Sequence, residues 1–130
     1  MMKRMVLAAA LCVALPASAF ANGFLTRDLG AGGHYEDCLA RALQTLQIYV
    51  DRTGGRSSDI SSGDWSAFAF HLRPGPVDVQ IACPYRSNMS DVVLMTIHST
   101  GQRGDRQTVL NSLAEIWDSL EGGLPSGGTK

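Results

Sequence analysis

Three cysteines, at positions 12, 38 and 83, set the first limit on what this chain can fold into. Cys12 lies in an N-terminal segment that we predict to be removed, so two cysteines remain in the mature protein. An even number of cysteines in an exported protein favours a disulfide, here Cys38–Cys83. Closing a loop of that length stabilises a domain by about 4 kcal/mol on the chain-entropy model. A pair of buried free thiols is the alternative.

The N-terminus has the pattern of a secretory signal peptide. Lys3 and Arg4 precede an apolar run, which is followed by small residues before position 21. The run is shorter than the roughly 20 residues that span a bilayer. We predict a Sec-type signal over residues 1–21, cleaved after Ala21 or after Ala19, with a retained signal anchor as the alternative. The expected product is bacterial and periplasmic or secreted, with no integral membrane segment after cleavage.

The composition of the remaining chain argues against binding to nucleic acid. Residues 22–130 contain nine basic and twelve acidic residues, for a net charge of −3. The basic residues are scattered singly along the chain, so no positive patch is expected to contact phosphates. The remaining length is sufficient for one small domain.

Apolar periodicity predicts two helices, one near each end of the mature chain. The first is expected over residues 34–51. The second is expected to begin with Asp105 as its N-cap and to end before Gly122. Its apolar stripe comprises residues 109, 110, 113, 116, 117 and 120. Outside the helices we expect a flexible lead-in over 22–33 and a disordered tail over 122–130.

Period-two alternation predicts three strands between the helices, preceded by a mobile loop over residues 51–64. The turn after Leu72 pairs that residue with Val77 and places His71 opposite Asp78. The expected core-facing residues are Phe68, Phe70 and Leu72 on the first strand, Val77, Val79, Ile81 and Cys83 on the second, and Val93, Met95 and Ile97 on the third.

The order α-β-β-β-α predicts a two-layer α+β domain over residues 34–121. The strands are expected to form a three-stranded antiparallel meander with both helices on one face. Cys38 falls on the apolar stripe of the first helix, and Cys83 falls on the helix-facing side of the second strand. The two periodicities therefore independently permit one disulfide between the layers.

The segment GGHYEDC, residues 32–38, contains the residue types of a metal or nucleophile site. We interpret it as a helix start, with Gly33 as N-cap and with Glu36 and Asp37 opposing the positive end of the helix dipole. A zinc site would require further ligands, which no spacing in the chain supplies. This interpretation leaves only His34 without a structural role.

A histidine–aspartate–histidine row is the best chemical candidate in the sequence. In an antiparallel meander His71, Asp78 and His98 lie at one end of the sheet. Two imidazoles beside a carboxylate could bind zinc or copper, or act as a weak acid–base pair. The alternative is a solvated cross-strand row, and a two-residue slip of the third strand would remove His98 from it.

The sheet face opposite the helices is expected to be unusually apolar, with Trp65, Ala67, Ala69 and Leu94 on it. Such a face favours contact with another protein or with a second copy of the chain. The alternative is that a helix, the long loop or the tail covers it. The chain has no HExxH, GxSxG or SxxK motif. We therefore expect a small non-catalytic binding module without a cofactor, and a zinc or copper site as the second hypothesis.

Overall fold

The computed structural model of the protein describes residues 22–120. The predicted signal peptide over 1–21 and the predicted tail over 122–130 lie outside the described residues. Within the described part, buried residues from both helices and the three central strands form one hydrophobic cluster.

The described chain forms two helices, a five-stranded antiparallel sheet and a two-stranded ribbon. The elements in chain order are β1 (Gly23–Asp28), β2 (Gly33–His34), α1 (Tyr35–Thr53), a 3₁₀ turn (Ser57–Asp59), β3 (Ile60–Ser62), β4 (Ser66–Leu72), β5 (Val77–Ala82), β6 (Met89–Ser90), β7 (Leu94–Ser99) and α2 (Arg103–Ser119). The sheet order is β1-β7-β5-β4-β3, and β2 pairs with β6. Both helices contact one face of the sheet, so the predicted α+β class is confirmed.

Two strands enlarge the predicted three-stranded meander. β1 lies in the predicted flexible lead-in and pairs with β7 along all six of its residues. β3 lies in the predicted mobile loop and pairs with β4. The three-stranded layout was therefore wrong. Neither strand was predicted, because an edge strand is fixed mainly by backbone hydrogen bonds to a neighbouring strand, whereas its own side-chain pattern contributes little. β1 also approaches α2 closely, since a Cβ on Gly23 would lie 2.4 Å from Nη2 of Arg106.

Helix α1 begins and ends within two residues of its predicted bounds. Its buried apolar side chains recur at helical spacing along one face, which includes Cys38 as predicted, and comprise Cys38, Ala42, Leu46, Tyr49 and Val50. The N-cap is His34 rather than Gly33, and the His34 Nδ1 accepts a hydrogen bond from the backbone N–H of Glu36 at 3.4 Å. The histidine without a predicted role therefore caps the helix.

Helix α2 carries the predicted apolar stripe but begins earlier than expected. Its N-cap is Gln102, so Asp105 lies in the first turn and does not cap the helix. The two helices are joined by Arg41, whose Nε donates to the Trp117 carbonyl at 3.1 Å while its guanidinium lies 3.8 Å from the indole centroid. Neither helix of the described part is long and apolar enough to cross a membrane.

Strand β4 contains one more residue than β5 between two consecutive paired positions. Ala69 pairs with Val79, and the next pair joins Leu72 to Val77. Two residues of β4, at positions 70 and 71, therefore lie opposite a single residue of β5. This arrangement is a β-bulge, and it changes which face of the sheet each flanking side chain occupies.

The bulge reverses the predicted facing of the first half of β4. Ala67 and Ala69 are fully buried on the helix side, whereas Phe70 is exposed and Phe68 is half-buried on the other side. The prediction that the phenylalanines face the helices, and that the alanines face outward, was wrong. It counted strict alternation back from Leu72, which is correctly buried, and the extra residue breaks that count.

The predicted disulfide is confirmed. Cys38 and Cys83 are bonded, their Cα atoms lie 6.1 Å apart, and both side chains are fully buried. The bond joins the first turns of α1 to the end of β5. Gly32 packs against it so closely that an added Cβ would lie 2.4 Å from the Cys38 Sγ.

Replacement of both cysteines by alanine should lower the free energy of unfolding by about 4 kcal/mol, because the 45-residue separation makes loop closure costly in the reduced unfolded chain. Urea denaturation of the native and variant proteins measures the difference. Reductant should lower the stability of the native protein to that of the variant and leave the variant unchanged. A loss below about 1 kcal/mol would contradict the loop-closure argument.

Candidate functional site: the outer face of the sheet

The sheet surface opposite the helices, which we call the outer face, is organised in cross-strand rows. Phe24, His98 and Asp78 occupy paired positions on β1, β7 and β5 and form the first row. The second row runs over four strands and comprises Thr26, Thr96, Gln80 and Phe68. Each row therefore has a phenylalanine at one end and polar side chains along the rest, on a surface that the two helices do not contact.

A groove of about 210 Å³ lies between these rows. Its walls carry three phenylalanines (Phe24, Phe68 and Phe70), with Asp78, Gln80, Thr96 and His98 between them. Phe24 is 69% exposed and Phe70 is 41% exposed. The rings of Phe68 and Phe70 are nearly parallel, with centroids 6.4 Å apart, and the ring of Phe24 lies 4.5 Å from that of His98. Large rings thus border the groove on two sides.

Among the described residues, Asp78 is the only carboxylate that lines this groove. Its Oδ1 accepts a hydrogen bond from the backbone N–H of His71 at 3.1 Å, and this bond holds the bulge of β4. His71 has a positive φ of 58°, which is uncommon for a residue other than glycine. Within residues 22–120, no side-chain nitrogen of lysine, arginine or histidine lies within 4.0 Å of the Asp78 carboxylate. In the described part of the chain, a half-buried carboxylate therefore lies beside three aromatic rings with no side-chain cation within 4.0 Å.

The predicted histidine–aspartate–histidine row is only partly assembled. Asp78 and His98 occupy directly paired positions on β5 and β7. His71 contacts Asp78 through its backbone, whereas its side chain is 73% exposed and its Nδ1 lies 4.0 Å from an oxygen of Asp59. In the described part of the chain no three His, Cys, Asp or Glu side chains are placed to hold a metal ion. The zinc or copper hypothesis thus gains no geometric support.

The four predicted interface residues do not share one exposed face. Trp65 is 46% exposed and Leu94 is 38% exposed, whereas Ala67 and Ala69 are buried beneath α1. Sequence reasoning missed Phe24 because β1 was not predicted. It missed the outward direction of Phe68 and Phe70, although the intervening small alanines are a signal that this side of the strand packs against a helix.

A second aromatic cluster lies at the start of α1. The ring of Tyr35 stacks on those of His34 and Tyr85, with centroids 5.2 and 4.1 Å away. The adjacent Glu36 carboxylate raises the pKa of Tyr35 through its charge and by accepting the phenol hydrogen bond at 3.2 Å. The raised pKa keeps the phenol protonated. A neutral Tyr35 ring stacked between His34 and Tyr85 is a structural contact and does not indicate an acid–base role.

No family model, curated protein or solved structure matches the chain. The functional argument therefore depends on the geometry and chemistry of the outer face itself.

The positive φ of His71 gives a direct test of the bulge. His71→Val should unfold with a free energy about 1–2 kcal/mol lower than His71→Gly, because a β-branched side chain is strained at this φ and glycine is not. Thermal or urea denaturation measures both variants.

Thr26, an exposed position on β1, supplies the control pair for this comparison. There the order should reverse, with Thr26→Val more stable than Thr26→Gly, because a regular strand favours β-branched residues. A His71→Val protein that is as stable as His71→Gly would show that the bulge does not have this backbone conformation.

Proposed function

We propose that the protein is an exported, non-catalytic binding module that receives a segment of another protein on its outer face. The observation that carries this proposal is the groove bordered by Phe24, Phe68 and Phe70, on a face that neither helix contacts. Exposed aromatic side chains grouped around a concave surface are typical of contact sites between proteins. The Cys38–Cys83 disulfide is compatible with an oxidising, exported environment.

The size of the groove favours a polypeptide over a small cofactor. Its volume of about 210 Å³ is below the range of about 300–1,000 Å³ that encloses ordinary small-molecule ligands. The exposed apolar side chains also extend beyond the groove, to Leu94 on β7. A chain that places one side chain in the groove and lays others beside it matches this layout.

The edge of the sheet supports an extended segment as the occupant. Among the described residues β1 pairs only with β7, so its other edge presents backbone N–H and C=O groups. Phe24 belongs to this edge strand and also lines the groove. An added strand could therefore pair along β1 while its side chains contact the outer face, which is a recurrent mode of peptide recognition.

A second copy of the chain fits the face less well than a different protein does. In a two-fold dimer centred on the groove, Asp78 would lie close to its own counterpart. Asp28, at the end of β1, adds a further negative charge beside the same face. Two like charges brought together at a desolvated contact oppose association.

Site-specific cross-linking tests this proposal. p-Benzoylphenylalanine in place of Phe70 should give cross-linked products in an extract of the native host. The same group in place of Glu115, an exposed residue on α2, should not give those products.

Competition then distinguishes specific from adventitious capture. Excess unlabelled native protein should abolish the products at position 70, whereas a Phe24→Ser/Phe70→Ser variant should compete at least tenfold more weakly, roughly the effect of losing two buried aromatic contacts. Products that consist only of the protein linked to itself would overturn the proposal. So would equal competition by the variant.

A further inference from the structure

We infer that the segment bound on the outer face carries a lysine or arginine side chain, which enters the groove and pairs with the Asp78 carboxylate. This inference rests on the proposed function and specifies the chemistry of the partner. It follows from the position of one charged group among the aromatic rings.

Any partner that covers Phe24, Phe68 and Phe70 also covers Asp78, because these four residues line the same groove. The carboxylate is half-buried in the free protein, so contact would remove its remaining water. A buried carboxylate without a compensating cation opposes binding strongly. The contact is favourable only if the partner supplies that compensation.

The described part of the protein supplies little positive charge to compensate the Asp78 carboxylate. Oδ1 of Asp78 accepts the backbone N–H of His71, which is a single neutral donor. The His71 ring faces Asp59 instead, and residues 22–120 contain no lysine. His98 is directly paired with Asp78, yet its ring packs at a tilt against that of Phe24, and its ring nitrogens lie more than 4.0 Å from the carboxylate oxygens.

The rings beside Asp78 favour a cation over a neutral donor. Phe24 lies on one side of the groove, and Phe68 and Phe70 lie on the other. The face of an aromatic ring attracts an ammonium or guanidinium group. A basic side chain can therefore place its aliphatic part against the rings and its charge on the carboxylate.

Peptides selected from a random library on the disulfide-bonded protein provide the probe. Those whose binding requires Phe70 should carry lysine or arginine. In a selected peptide whose basic residue is arginine, replacing it by citrulline, which keeps the shape and removes the charge, should weaken binding about tenfold. Asp78→Asn should cause a similar loss, because the amide oxygen can still accept the His71 N–H while the charge is gone.

A double-mutant cycle isolates the pair. The citrulline peptide should lose little further affinity on Asp78→Asn, whereas independent effects would multiply. Asp118→Asn, which removes the same charge from an exposed position on α2, should leave affinity unchanged. Thermal denaturation of each variant establishes that it is folded at the temperature of the binding measurement.

The outcomes separate this inference from the proposed function. Peptides that require Phe70 but lack a basic residue, or that bind Asp78→Asn equally well, would overturn the inference and leave the binding function intact. A library that yields no peptide dependent on Phe70 would overturn both.

Discussion

The hydrogen bond from the His71 backbone to the Asp78 carboxylate fixes the bulge in β4, and the identity of both sheet faces follows from that bulge. Because β4 has one extra residue opposite β5, Ala67 and Ala69 face the helices and Phe68 and Phe70 face away. Without the bulge, the alternation before Leu72 would place two phenylalanines beneath α1. The candidate site therefore arises from a local backbone irregularity and not from a loop added to a regular sheet.

The helix side of the sheet is closed by contacts that require small or specifically bonded residues. The alanines of β4 let α1 lie close to the strand, and Arg41 joins α1 to α2 through the Trp117 carbonyl and indole. The disulfide then ties α1 to β5. A domain of this size gains limited stability from its apolar core alone, so these cross-links matter more than in a larger protein. They also leave the outer face free of any structural requirement from the helices.

Sequence periodicity predicted those parts of the fold in which side-chain pattern and burial agree. Helix α1, most of α2, β5 and the buried residues of β7 have uninterrupted apolar stripes. The disulfide was predicted from the cysteine count, and two of these stripes supported it independently. β1 was missed because only Leu25 of its side chains packs on the core, and β3 because three residues are too few to show alternation. The bulge was missed because an extra residue has no periodic signature of its own. The candidate site was therefore not predicted either, since two of its three phenylalanines lie on β4.

Asp78 contributes to the fold as a hydrogen-bond acceptor and to the candidate site as a negative charge. Oδ1 holds the bulge, and an asparagine oxygen could accept the same backbone N–H. The fold thus accounts for an acceptor at position 78 but not for a negative charge. That charge lies in an open groove among phenylalanine rings, where it lowers the affinity for any neutral apolar partner and raises the affinity for a basic one. The Asp78 carboxylate therefore holds the bulge that directs Phe68 and Phe70 outward, and on our proposal it also determines which segments bind beside them.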